Sequence, residues 1–256
     1  MFRTSRKRLL LASFVIFTFV ALTAVTSANH SWAGYHWARQ SNPFTVKLGD
    51  NVSGPWESVL GTTASDWSQS TVLDTVIVPG GARPRNCRPT SGRVEVCNDT
   101  YGNNGWLGIA QVWITGGTHI TQGTVKLNDT YFNTPTYNTT AWRNLVSCQE
   151  VGHTLGLDHQ DENFNNANLG TCMDYTNNPS TNQHPNKHDY DQLVSIYSHL
   201  DNTSTLGQIV GRVQDFVHSA PPEWGKLIRH SPNGKNSLYE LDLGNGRKVF
   251  TFVIWA

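Results

Sequence analysis

The chain has 256 residues with 38% hydrophobic content, enough for one sizeable core and a small appendage, so a folded globular protein is expected. Its formal net charge is zero, but Arg3, Arg6, Lys7 and Arg8 sit ahead of an apolar run, and setting them aside leaves 15 Lys+Arg against 19 Asp+Glu, a net charge of −4. No basic patch remains, which argues against a nucleic-acid partner.

The basic start, the apolar stretch Leu9 to Val25 and the small residues Thr26, Ser27 and Ala28 read as a secretory signal over residues 1–28. An uncleaved anchor is the alternative, because the run approaches the ~20 residues that span a bilayer. If the signal is cleaved, the protein is expected to be extracellular, monomeric and without stable membrane association. The four cysteines, Cys87, Cys97, Cys148 and Cys172, fit an oxidising compartment. Nearest-neighbour pairing, Cys87 with Cys97 and Cys148 with Cys172, is favoured among three connectivities, and a four-cysteine zinc site would want shorter spacings.

Phe44 to Leu48 alternates and reads as a strand. Pro55 opens a helix with Trp56, Val59, Leu60, Thr63 and Trp67 on one face. Val72 to Val78 is a second strand, giving a parallel pair with a helical crossover. Further strands are expected at Arg93 to Cys97, Leu107 to Ile114 and Thr124 to Leu127. Thr139 or Thr140 caps a long helix that stops at Gly156, and another helix fits Asp189 to Leu200. After a polar stretch, Leu227 to His230, Ser237 to Leu243 and Lys248 to Trp255 read as strands around turns at Asn233-Gly234 and Asn245-Gly246. At about 50 residues, the tail from 207 to 256 is small for an independent fold and is expected to pack on the main domain of residues 29–200.

The chemistry concentrates in Gln149-Glu150-Val-Gly-His153-Thr-Leu-Gly156-Leu-Asp-His159, followed by Met173 and Tyr175. Gln149 and His153 are one helical turn apart and converge on one point, with Glu150 beside it. Gly156 lets the chain leave the helix, so His159 can swing back as a third ligand. Three ligands leave an open position for water, as a hydrolytic metal site requires.

This segment resembles the metzincin signature H-E-x-x-H-x-x-G-x-x-H, matching at Glu150, His153, Gly156 and His159 and departing at Gln149, where that family has its first His. The resemblance covers Phe44 to Leu200. It implies an α+β fold: a twisted mixed sheet, an active-site helix, a Met-turn at Met173 and a C-terminal helix, here followed by the small β-rich extension. It further implies a secreted zinc-dependent metalloendopeptidase acting on protein or peptide substrates, with Gln149, His153 and His159 on the metal and Glu150 as general base. By the pattern of the astacin and serralysin branches, Tyr175 would stabilise the transition state; a plain buried Tyr is the alternative. Substrate would add as a strand along an edge strand, for which Gly108, Ile109 and Ala110 are the candidates; an interior strand is the alternative. A bridge between Cys148 and Cys172 would staple the active-site helix to the Met-turn.

Gln149 can coordinate through its amide oxygen, a harder donor than imidazole. If it does not bind, His119 is a substitute ligand, or the chain is a catalytically silent relative that binds proteins in its cleft. A metal-dependent hydrolase acting on something other than peptide is a third reading. Asp158, Asp161 and Glu162 cluster near the third ligand and could hold calcium. His36 is read as structural, and His184 and His188 as surface or helix-start residues, since Pro185 interrupts their helical spacing.

Overall fold

The computed structural model describes residues 30–207 and 220–256; the segment 1–28 expected to be a secretory signal lies outside them, as does 208–219 of the tail. The elements in chain order are β1 (His36–Trp37), β2 (Phe44–Asn51), α1 (Pro55–Trp67), β3 (Leu73–Pro79), β4 (Val94–Asp99), β5 (Trp106–Thr115) and β6 (His119–Asn128). Then come α2 (Asp129–Phe132), α3 (Thr140–Thr154), α4 (Lys187–Ile196), β7 (Lys226–His230), β8 (Asn236–Gly244) and β9 (Arg247–Trp255).

They form an α+β fold around one mixed sheet in the order β3-β2-β4-β6-β5-β9-β8-β7, with β1 paired to β6. β2 and β3 run parallel across the α1 crossover, and β4 and β6 continue the parallel half. From β5 onward every pairing is antiparallel. The tail therefore extends the main sheet: β9 pairs with β5 from Trp106 to Ile114. Among the described residues no helix is long and apolar enough to cross a membrane.

α3 is buried from Arg143 to Thr154, packed against β5 and β6 of the sheet and against α1, which itself lies on β3. Thr139 accepts from the Trp142 amide at its N-terminus. Three tryptophans and a hydroxyl pair fix its position: Trp67 Nε1 donates to the Cys148 carbonyl (3.1 Å), Trp37 Nε1 to the Thr154 carbonyl (2.9 Å), Trp56 lies with its ring centroid 5.7 Å from the Arg143 guanidinium carbon, and Thr63 and Ser147 share a 2.8 Å hydrogen bond. Gly108 on β5 permits the close approach of α3, since a Cβ there would meet Val146 Cγ1 at 2.5 Å.

Two elements differ from expectation. β6 starts at His119 rather than Thr124, because its first half carries polar residues that mask the strand pattern yet pairs with β5 across a register shift at Trp113–Ile114. α4 starts at Lys187 and stops at Ile196. Asn186 and Asp189 form a capping box at its start, and Tyr197 leaves the helical conformation at its end. Both disulfides are formed, Cys87–Cys97 and Cys148–Cys172.

Candidate active site

The end of α3 sets the site. Gly156 sits at φ 97°, a conformation open to glycine, and a Cβ there would run into the Tyr35 carbonyl oxygen. The Gly156 amide donates to the His153 carbonyl (3.1 Å) and the Leu157 amide to the Gly152 carbonyl (3.3 Å), a Schellman termination. The chain then reverses. Asp158 donates its amide to the His30 carbonyl, Gln160 donates to the Met173 carbonyl (2.6 Å), and Tyr175 donates to the Asp161 carbonyl (3.1 Å). These bonds lay the segment carrying His159 beside the one carrying Met173 and Tyr175.

His153 and His159 meet through their Nε2 atoms, 3.1 Å apart, with their rings nearly perpendicular at 79°. The His153 Nδ1 faces the Leu157 carbonyl at 2.9 Å, which fixes the proton on Nδ1 and leaves Nε2 a lone-pair donor. Burial lowers the pKa of both imidazoles, against the opposing pull of Asp158 on His159, and so favours the neutral forms that metal ligands require. Gln149 lies one turn before His153 and lines the same cleft as Asp174, Tyr175 and Ile254. Among the described residues, neither Glu150 carboxylate oxygen meets a hydrogen-bond partner of good geometry, and burial pushes this carboxyl well above its usual range against the pull of the Ala110 backbone. Two imidazole Nε2 atoms that face each other are donors that fit a divalent metal, and Glu150 on the same helix adds a buried carboxylate without a partner, while Gln149 lines the cleft with Tyr175.

Met173 is fully buried beneath the helix. A Cβ on Gly152 would meet its Sδ at 2.7 Å and Trp67 Cζ2 at 2.8 Å, so glycine here is what lets the methionine seat against α3. The Tyr175 ring packs edge-on against His159 at 4.2 Å between centroids and against Phe164 at 4.9 Å. Burial raises its phenol pKa, and Glu162 adds to the effect, so the group stays a neutral hydrogen-bond donor.

The tail supplies what the local sequence does not announce. Phe252 of β9 stacks on His153, with centroids 3.9 Å apart and planes within 10°. Arg229 of β7 grips the loop that carries His159: Nη1 donates to Asp158 Oδ2 at 2.7 Å, Nη2 bonds the other Asp158 oxygen, and Nε lies 2.8 Å from Glu162 Oε1. Burial alone would raise the Asp158 carboxyl, but His159 and Arg229 hold it well below the usual carboxylate range.

Three expectations change accordingly. Gly108, Ile109 and Ala110 do not lie on a free edge, because β5 is paired with β6 on one side and β9 on the other. Of the acidic trio, Asp161 caps the Asn163 amide, whereas Asp158 and Glu162 hold the Arg229 guanidinium with carboxylate oxygens that, together with a His159 ring nitrogen, lie within 4.8 Å of one another. His119 stands outside the cleft, with its Nε2 3.3 Å from Asp201. His184 pairs with Asp66 at 2.7 Å and His188 stacks on His30.

Compared with protein families, the chain matches none, and no curated protein matches it.

Proposed function

We propose that this chain is a zinc-dependent endopeptidase of the metzincin type, with Gln149 in place of the first histidine ligand. The observation that carries the reading is the pair of Nε2 atoms 3.1 Å apart on His153 and His159, at the end of the helix whose Glu150 carboxylate is buried without a hydrogen-bond partner. Gln149, His153 and His159 would hold the metal, which supplies a Lewis acid for the scissile carbonyl and a water of lowered pKa.

The residues of the chain then have separable tasks. Glu150 takes a proton from water as its oxygen bonds to the peptide carbon, and passes that proton to the amine as the C–N bond breaks. Tyr175, neutral and against His159, donates to the developing oxyanion. Met173 and the Cys148–Cys172 bridge hold the floor at a fixed distance from α3. The two disulfides support an oxidising, extracytoplasmic setting, in keeping with the leader-like N-terminus.

The tail belongs to this reading. β9 pairs along the edge of β5 on which an extended peptide would add, and Phe252 caps His153. The site is thus covered, and substrate entry needs β9 displaced. A second reading, a silent relative that binds proteins, draws on Gln149 and on the same cover.

Casein cleavage by the zinc-loaded chain, compared with Glu150→Ala, tests the proposal. Loss of about 10²–10⁴ in rate with unchanged zinc content supports it; equal cleavage by both removes Glu150 from the role.

A further inference from the structure

A second cluster lies away from the cleft, where three distant parts of the chain meet. His36 is on β1, His119 opens β6, and His199 and Asp201 follow α4. Their donor atoms converge. His36 Nε2 is 3.1 Å from His199 Nε2 and 3.4 Å from Asp201 Oδ1; His119 Nε2 and His199 Nε2 are 3.3 Å and 3.7 Å from the same Oδ1. The His36 ring stands almost perpendicular to both other imidazoles, at 82° and 88°.

These separations are long for charge-assisted hydrogen bonds, which run about 2.7–2.9 Å. They come near the edges of a tetrahedron of donors around zinc, roughly 3.3 Å for metal–ligand bonds of about 2.0–2.1 Å; His36, His119 and Asp201 all lie within 4.8 Å of one another, and His199, whose side chain is half exposed, turns in from the His36 side to complete the set. The outer contacts also suit coordination. The His36 Nδ1 faces the Gly34 carbonyl at 2.7 Å, which places its proton there and frees Nε2. Arg39, buried itself, bonds the other carboxylate oxygen, Oδ2, through Nη1 at 3.0 Å and through its amide at 3.2 Å, leaving Oδ1 turned to the three rings. The His199 side chain is about half exposed, so an ion can enter from solvent.

We infer that His36, His119, His199 and Asp201 form a metal site, a closed three-histidine, one-carboxylate centre for zinc. Four protein donors fill a tetrahedral shell and leave no position for a reacting water, which makes the site structural. It ties the N-terminal strand and the β5–β6 turn to the segment that leads into the tail. The site is independent of whether Gln149 coordinates.

The test titrates the chelator-stripped full chain with Zn2+, and with Co2+ for its visible spectrum, beside His199→Ala, the variant that removes the most exposed ligand, and His199→Cys, which keeps a donor. The full chain should bind one more equivalent than His199→Ala, with an affinity loss beyond the ~10–100-fold typical of removing an outer-shell partner. Co2+ should give the intense bands of a four-coordinate ion, lost in His199→Ala and restored in His199→Cys. Zinc should raise the melting temperature of the full chain by roughly 5–10 °C more than that of His199→Ala. Equal stoichiometry and equal melting shifts in the full chain and His199→Ala, or a weak six-coordinate spectrum in both, would overturn the assignment.

Discussion

The ring of Phe252 lies parallel to the imidazole of His153 at a centroid distance of 3.9 Å. These residues are 99 positions apart, and the contact places the tail over the candidate metal ligands. The same strand takes the free edge of β5, opposite Ala110. One module thus covers both His153 and the second edge of β5, the two places the proposed peptidase would need for metal and peptide.

Loosening that module should expose the site. Arg229→Gln removes the guanidinium that joins Asp158 and Glu162 to the tail. Faster amide hydrogen exchange across Arg247–Trp255 is expected, together with at least a several-fold rise in casein cleavage. Faster exchange without any gain in cleavage would mean the cover does not control access.

Gly156 carries a backbone requirement as well as a spatial one. At φ 97°, with the Tyr35 carbonyl oxygen occupying the space a methyl group would need, Gly156→Ala combines left-handed strain with a backbone clash. The expected cost is about 2–5 kcal/mol in urea unfolding. A neutral result would show that the helix end relaxes freely.

The Cys148–Cys172 bridge closes a loop with a sequence separation of 24 that contains both His153 and His159. Replacing both cysteines by alanine should lower stability by about 3 kcal/mol. Zinc affinity at the active-site helix should fall with it, because the Met-turn is no longer stapled beneath the ligands. Calorimetric unfolding and zinc titration of the double variant check both statements.

Lys126 is buried against Tyr101, whose ring centroid is 5.8 Å from Nζ, and burial pulls its pKa down to about 8 while Glu223 opposes the shift. The unfolded chain keeps this lysine near 10.4. Between about pH 8 and 10.4 the unfolded state therefore binds more protons, and the Lys126 contribution to stability rises with pH across that window. The gain is on the order of 3 kcal/mol, and Lys126→Met should remove it. Urea midpoints at the two ends of the window, in both proteins, measure the difference.

Much of the site was legible in the sequence because its signals are local. Gln149 and His153 are one helical turn apart, Thr139 caps α3 and Gly156 ends it, so the helix and its ligand face follow from spacing. The parallel pairing of β2 and β3 follows from the strand–helix–strand order. What escaped is set by long-range pairing. Nothing near Gly108 or Ala110 announces that β9 will take the second edge of β5, and Arg229 meets Asp158 across 71 positions. His36 and His119 read as solitary in the chain because Asp201, 165 positions after His36, is brought to them only by the fold.

The most direct measurement is casein cleavage by the zinc-loaded Arg229→Gln protein, with and without chelator, beside the same protein carrying Glu150→Ala. Cleavage that stops on chelation and is lost in the Glu150→Ala form at unchanged zinc content is the predicted result. A zinc-loaded Arg229→Gln protein that stays inert, and remains inert when Gln149→His is added, would contradict the peptidase account.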